Sequence, residues 1–177
     1  MATAIQEKKF GKAFDLMDVD GSGVVTSQDA EAIARRKIEQ AGLSIDAPQM
    51  RDLRDALTAY WRALDTNGNG QLTRDEYIES VSRLAQDPQR LESILTPGNR
   101  ALISAFDTDG DGRISRSEYE QMEQESGLTP EDRERAWQVL DRDNSGYVTL
   151  DELNQANIDF FVNDDHGQGA NEMLGRI

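Results

Sequence analysis

The sequence predicts an all-α protein: four helix–loop–helix units in two pairs, packed as one compact globule, with short antiparallel β contacts between paired loops. Three observations predict it. A loop pattern rich in Asp, Asn and Gly occurs four times in one register, starting at Asp18, Asp65, Asp107 and Asp141. Apolar residues at helical spacing flank every copy. Each copy also carries one aliphatic residue at its eighth position: Val25, Leu72, Ile114 and Val148. A pattern repeated in register outranks any single motif, because one helix–loop–helix unit cannot bury its apolar stripe alone.

The elements follow in chain order. Phe10, Ala13, Phe14 and Met17 lie on one face of a helix ahead of the first loop. Behind that loop, Ala30, Ile33, Ala34, Ile38 and Ala41 continue a stripe to Gly42, a helix stop. Ser44 or Asp46 is expected to cap the next helix, with Pro48 in its first turn. Met50, Leu53, Leu57, Tyr60, Trp61 and Leu64 form its buried face, and Tyr77, Ile78, Val81, Leu84 and Ala85 follow the second loop. Asp87-Pro88 and Thr96-Pro97 each read as a helix start, so the join should hold a short helix from Pro88 to about Leu95 and a new one from Pro97. Leu102, Ala105 and Phe106 precede the third loop, and Tyr119 and Met122 follow it. Thr129-Pro130 opens a helix carrying Ala136, Trp137 and Leu140, with Asp132 favourably placed in its first turn. Leu153, Ala156, Ile158, Phe160 and Phe161 follow the fourth loop.

This order divides the chain into an N-terminal pair (1–86), a join (87–96), a C-terminal pair (97–163) and a tail (164–177). The first pair of units carries extra residues between its loops, and the second pair is tightly spaced. Two readings of the tail stay open: a frayed end, or Met173, Leu174 and Ile177 tucked into a groove between the halves.

Composition narrows the function. The net charge is −15, from 34 acidic against 19 basic residues, which argues against nucleic acid and anionic membrane as partners. No cysteine is present, which excludes disulfides, thiolate catalysis and cysteine-held zinc. The lone His166 lies in a Gly-rich end and reads as a solvated residue. The first residues carry no apolar leader, and no run approaches a membrane span, so a cytoplasmic monomer is expected.

The loops carry the chemistry. In residues 107–118, Asp107, Asp109 and Asp111 occupy positions 1, 3 and 5, with Gly112 at the sharp turn of position 6. Arg113 offers its backbone carbonyl at position 7, Ser115 sits at position 9, and Glu118 at position 12 can give two oxygens. A hard divalent cation takes six to eight oxygens, and alternate residues of a tightly coiled loop supply them. The first loop offers Asp18, Asp20, Ser22, Val24, Thr26 and Asp29 in the same places. The second offers Asp65, Asn67, Asn69, Gln71, Thr73 and Glu76, and the fourth Asp141, Asp143, Ser145, Tyr147, Thr149 and Glu152. Up to four Ca²⁺ are therefore expected. Asp29 at position 12 is one methylene shorter than glutamate, which weakens two-oxygen reach and turns the first loop toward Mg²⁺. Ligand charge is two in the second loop, four in the third and three in the fourth. The expected calcium order is third and fourth strongest, second intermediate, first weakest.

The motifs, their spacing and the Pro-marked join resemble the EF-hand superfamily, and within it the sarcoplasmic calcium-binding proteins and their bacterial calerythrin-type relatives. The resemblance implies a single-globule fold and an intracellular buffer or store for Ca²⁺ and Mg²⁺. Family members often carry a degraded loop among the first two, whereas the second loop here has its full set of oxygens. The alternative is a Ca²⁺-triggered sensor that changes compactness and binds a protein partner, which the sequence leaves unidentified. Sensors open a Met-rich groove, and this chain has five methionines in all. Catalysis is not expected. The chain lacks a Ser/His or Cys/His constellation, and its clustered carboxylates are accounted for as ligands.

Overall fold

The computed structural model describes residues 3–163; the expectations for His166 and for Met173, Leu174 and Ile177 lie outside them. Among the described residues the chain forms eight helices and two minimal sheets. Helix α1 (Ala4–Met17), strand β1 (Val24–Val25) and helix α2 (Ser27–Gln40) make the first unit. Helix α3 (Pro48–Leu64), β2 (Leu72–Thr73) and α4 (Arg74–Leu84) make the second. Helix α5 (Pro88–Phe106), β3 (Ile114–Ser115) and α6 (Arg116–Met122) make the third, and α7 (Pro130–Leu140), β4 (Tyr147–Val148) and α8 (Leu150–Val162) the fourth.

The eighth-position aliphatics meet as expected. Strands β1 and β2 pair antiparallel with Val25 opposite Leu72, and β3 and β4 pair with Ile114 opposite Val148. All four side chains are buried, so each two-residue ladder is pinned from below by the core.

Helix α2 stops where Gly42 requires it. Gly42 adopts φ +73°, the Gly42 amide donates to Glu39 O at 3.0 Å, and the Leu43 amide donates to Ile38 O at 3.0 Å. This paired bonding closes the helix end, and Leu43 folds back onto the cluster containing Ile38.

Two expected helix starts differ. Neither Ser44 nor Asp46 caps α3: its N-cap is Ala47, with no side-chain bond. Ser44 Oγ instead accepts the Asp46 amide at 3.2 Å, tightening the turn before the helix. Pro48 at the first position reduces the need for a cap, having no N–H to satisfy. The join is corrected as well. The break expected between Leu95 and Pro97 is absent, and α5 runs unbroken with Pro97 inside it. Thr96 does not cap a new helix; its hydroxyl donates to Glu92 O at 2.8 Å. Tertiary burial overrides the local signal, because Leu91 is buried at one end of α5 and Ile103, Ala105 and Phe106 at the other.

The core lies in two clusters that exchange parts between the halves. Phe10, Phe14, Trp61, Leu64, Tyr77 and Leu91 pack with Phe160 and Phe161 from the far end of α8. Ile103, Phe106, Ile114, Trp137 and Leu153 pack with Ala34, Ile38, Met50 and Leu53 from α2 and α3. Lys9, fully buried on α1, donates to the carbonyls of Phe160 and Asn163 at the end of α8. It satisfies carbonyls that the helix end leaves open, with its charge at the favourable end of the dipole.

Candidate metal centres

Each loop is wound around the carboxylate at its first position. Asp18 accepts the amides of Ser22 and Gly23, both at 2.9 Å. Asp65 accepts those of Gly68 and Gly70 at 2.9 Å. Asp107 accepts Gly110 at 2.7 Å and Gly112 at 2.8 Å, and Asp141 accepts Ser145 at 2.9 Å and Gly146 at 3.0 Å. The turn that allows this needs a left-handed residue at position 6, and Gly112 (φ +80°) and Gly146 (φ +85°) supply it without a Cβ clash.

The exit side is built by helix capping. Thr26, Thr73, Ser115 and Thr149 at position 9 are the N-caps of α2, α4, α6 and α8. Asp29, Glu76, Glu118 and Glu152 at position 12 complete reciprocal capping boxes with them. The same box draws position 12 toward the loop entrance. Asp29 accepts the Val19 amide at 3.1 Å, Glu118 the Thr108 amide at 2.7 Å, and Glu152 the Arg142 amide at 3.2 Å. Glu118 also takes the Ser115 amide and hydroxyl, each at 2.8 Å. Burial pushes its pKa up, but the bonds from Ser115 and Thr108 outweigh that and hold it at about 2. Hydrogen bonds from Ser22 to Asp20 and from Ser145 to Asp143 lower those two pKa values as well.

In three loops carboxylate oxygens converge within 4.8 Å of one another: Asp18, Asp20 and Asp29; Asp107, Asp109 and Glu118; Asp141, Asp143 and Glu152. The donor set fits a hard divalent cation. One ion with oxygens at about 2.3–2.6 Å spans such a cluster. The second loop has only Asp65 and Glu76 as acids at its ligand positions; Asn69 Oδ1 accepts the Gln71 amide at 2.8 Å, and Asn67 donates its amide to Glu76.

The third loop departs from its sequence reading. Asp111, expected as the fourth charge, stands outside the cluster. Its Oδ2 accepts Arg113 Nε at 3.1 Å and Nη2 at 2.6 Å. Arg113, expected to contribute only its carbonyl, also stacks its guanidinium 4.1 Å from the Tyr147 ring of the paired loop. The alternation of charges over Asp111-Gly112-Arg113 is the sequence signal for this pair.

The pattern of an EF-hand domain pair matches residues 54–122, and that of an EF hand matches residues 10–29 and 138–156. Among solved structures, a Streptomyces coelicolor calcium-binding protein is 25% identical with a TM-score of 0.77, over 89% of this chain and 98% of that one. Calcium-loaded apo-aequorin from Aequorea victoria is 22% identical with a TM-score of 0.78, over 94% of this chain and 95% of that one. The calcium-loaded apo form of the coelenterazine-binding protein from Renilla muelleri is 22% identical with a TM-score of 0.69, over 99% of this chain and 100% of that one. The chain belongs to the EF-hand superfamily of calcium-binding proteins.

Proposed function

We propose that this calcium-binding protein is an intracellular buffer or store, a cytoplasmic monomer that takes up Ca²⁺ and, at its first loop, Mg²⁺. The observation that carries the reading is the exchange of core residues between halves. Met50 and Leu53 of α3 lie in the cluster of the C-terminal pair, and Phe160 and Phe161 of α8 in that of the N-terminal pair. Opening one pair into a target groove therefore breaks the core of the other. Among the described residues the methionines do not form an exposed face: Met50 and Met122 are buried and Met17 is half-buried.

All twenty-four loop positions named from the sequence are the proposed coordinating groups. The third and fourth loops fill first, because three carboxylates already converge in each; the third gains its fourth charge only when Asp111 leaves Arg113. The second follows, and the first is weakest for calcium. A second reading rests on the Streptomyces coelicolor protein, whose published description concerns calcium-mediated regulation in a prokaryote: this chain would then be a switch.

Calorimetric titration with Ca²⁺, with and without millimolar Mg²⁺ and followed by a hydrophobic dye, tests both readings. A buffer takes up several ions with little change in dye emission. A large calcium-dependent rise would support the switch, and no uptake would end both.

A further inference from the structure

A cavity of about 360 Å³ lies between the two halves, walled by α1, α2, α3, α4, α5 and α8. It is apart from the loops. Its walls are mostly apolar, with Leu57, Ile94 and Phe160 among them, and the half-exposed Leu16 stands at its edge. Few polar groups reach it, and the Lys37 ammonium among them donates to Met122 O at 2.9 Å. The Tyr60 and Tyr77 hydroxyls meet at 3.4 Å on one side, and Asn99 lies on another, bonded at 2.9 Å to Asn157. When two hydroxyls meet, only one can donate to the other, so the second O–H is left to seek a further acceptor. Burial raises the pKa of Tyr60 to about 12 and pushes that of Tyr77 well above its usual range, so both remain neutral donors at physiological pH.

Gly98 adds an independent observation. It sits inside α5 and lines the cavity, although glycine is among the poorest helix formers. Packing does not require it there, because a Cβ at Gly98 would meet nothing within 4 Å. Its missing side chain leaves that wall open at a cost in helix stability.

We propose that this cavity is a binding site for a small, uncharged aromatic molecule carrying a carbonyl or hydroxyl oxygen. The volume lies within the range of ligand pockets. The apolar walls take the rings, and the tyrosine pair donates to the oxygen. A charged ligand is disfavoured, because the Lys37 ammonium in the wall is bonded to Met122 O and the other walls offer few groups to replace its hydration.

The test uses the full-length chain and prodan, an uncharged naphthalene ketone whose emission shifts to the blue in apolar surroundings. The expected result is saturable binding of one molecule per chain. Gly98→Leu should weaken binding about tenfold or more by filling the wall, while the thermal midpoint stays level or rises. Ala56→Leu, on another wall, serves if Gly98→Leu folds poorly. Tyr77→Phe should weaken binding about threefold or more through loss of a hydroxyl donor, with the stoichiometry unchanged. Unsaturable binding, or binding untouched in folded Gly98→Leu and Ala56→Leu, overturns the proposal. So does a full-length chain that binds only after Met173→Asp and Ile177→Asp, since the chain's own tail would then be the occupant.

Discussion

Replacing Ile114 by Ala should weaken the C-terminal pair of loops twice over, through stability and through site geometry. Ile114 is 2% exposed, so nearly the whole side chain is lost from the interior. Removing three carbons forfeits roughly 2.4 kcal/mol at about 0.8 kcal/mol each. An unrelaxed cavity adds about 1 kcal/mol, less if the short ladder opposite Val148 closes in, giving about 3 kcal/mol in all. A domain of ordinary stability, about 5–15 kcal/mol, survives this. The assay is urea unfolding in chelator, read at Trp137, which shares a core cluster with Ile114, and at Trp61, which does not. Calcium titration of the folded variant should then show both C-terminal loops weakened and both N-terminal loops unchanged. A stability loss below about 1 kcal/mol would refute the packing argument. Equal weakening of all four loops would refute the pairing argument.

Asp29→Glu should raise the calcium affinity of the first loop and lower its preference for Mg²⁺, because the longer arm reaches the ion with both oxygens; competition titration reads this, and an unchanged Ca²⁺/Mg²⁺ ratio counts against the length argument. Arg113→Gln should tighten the third site about two- to fivefold, the scale of an exposed ion pair, with a smaller gain at high salt; weaker calcium binding in the variant would mean that the guanidinium helps to build the loop. Alkaline titration followed by tyrosine absorbance should show Tyr60 ionising near pH 12, well above an exposed phenol at about 10. Its folded pKa is the raised one, so its contribution to stability is whole below about pH 10 and is lost as pH climbs toward 12. Ionisation of all four tyrosines together near pH 10 would count against the burial of that pair.

The loops and their pairing were legible because their chemistry is local. Oxygen donors on alternate residues, Gly at the turn and an aliphatic two residues later fix both the cage and the ladder contact. The capping boxes were equally open to reading: Thr26 with Asp29 and Ser115 with Glu118 fit a three-residue rule. What stayed hidden depends on partners distant in sequence. Thr96-Pro97 carries every local sign of a helix start, and only burial at both ends of α5 keeps the helix whole. Lys9 reads as one more surface charge until the end of α8, more than 150 residues away, comes to meet it. Asn99 and Asn154 sit on different helices and are bonded at 2.8 Å in the interior. Neither position differs in pattern from an exposed polar residue. Asp111 is an intermediate case: the motif names its role, but the competing arginine two residues on decides where it points.

Four helices span both clusters, and this fixes how the loops can influence one another; helix α2 does so with Ala30 in one and Ala34 and Ile38 in the other. Helix α3 carries Met50 and Leu53 in one cluster and Trp61 and Leu64 in the other, immediately before the second loop begins at Asp65. Helix α8 leaves the fourth loop with Leu153 in one cluster and ends with Phe160 and Phe161 in the other. Helix α5 carries Leu91 in one cluster and Phe106 in the other, directly ahead of the third loop. A rod held at both ends tilts only if both cores repack, and close-packed interiors resist that. The ladder at Ile114 and Val148 is the softer route, since it joins two loops through two residues on each side. Coupling between loops should therefore be strong within a pair and weak between pairs. On the proposed buffer reading, this frame should limit how far the apolar interior opens when cations arrive, so that the surface changes little between empty and full.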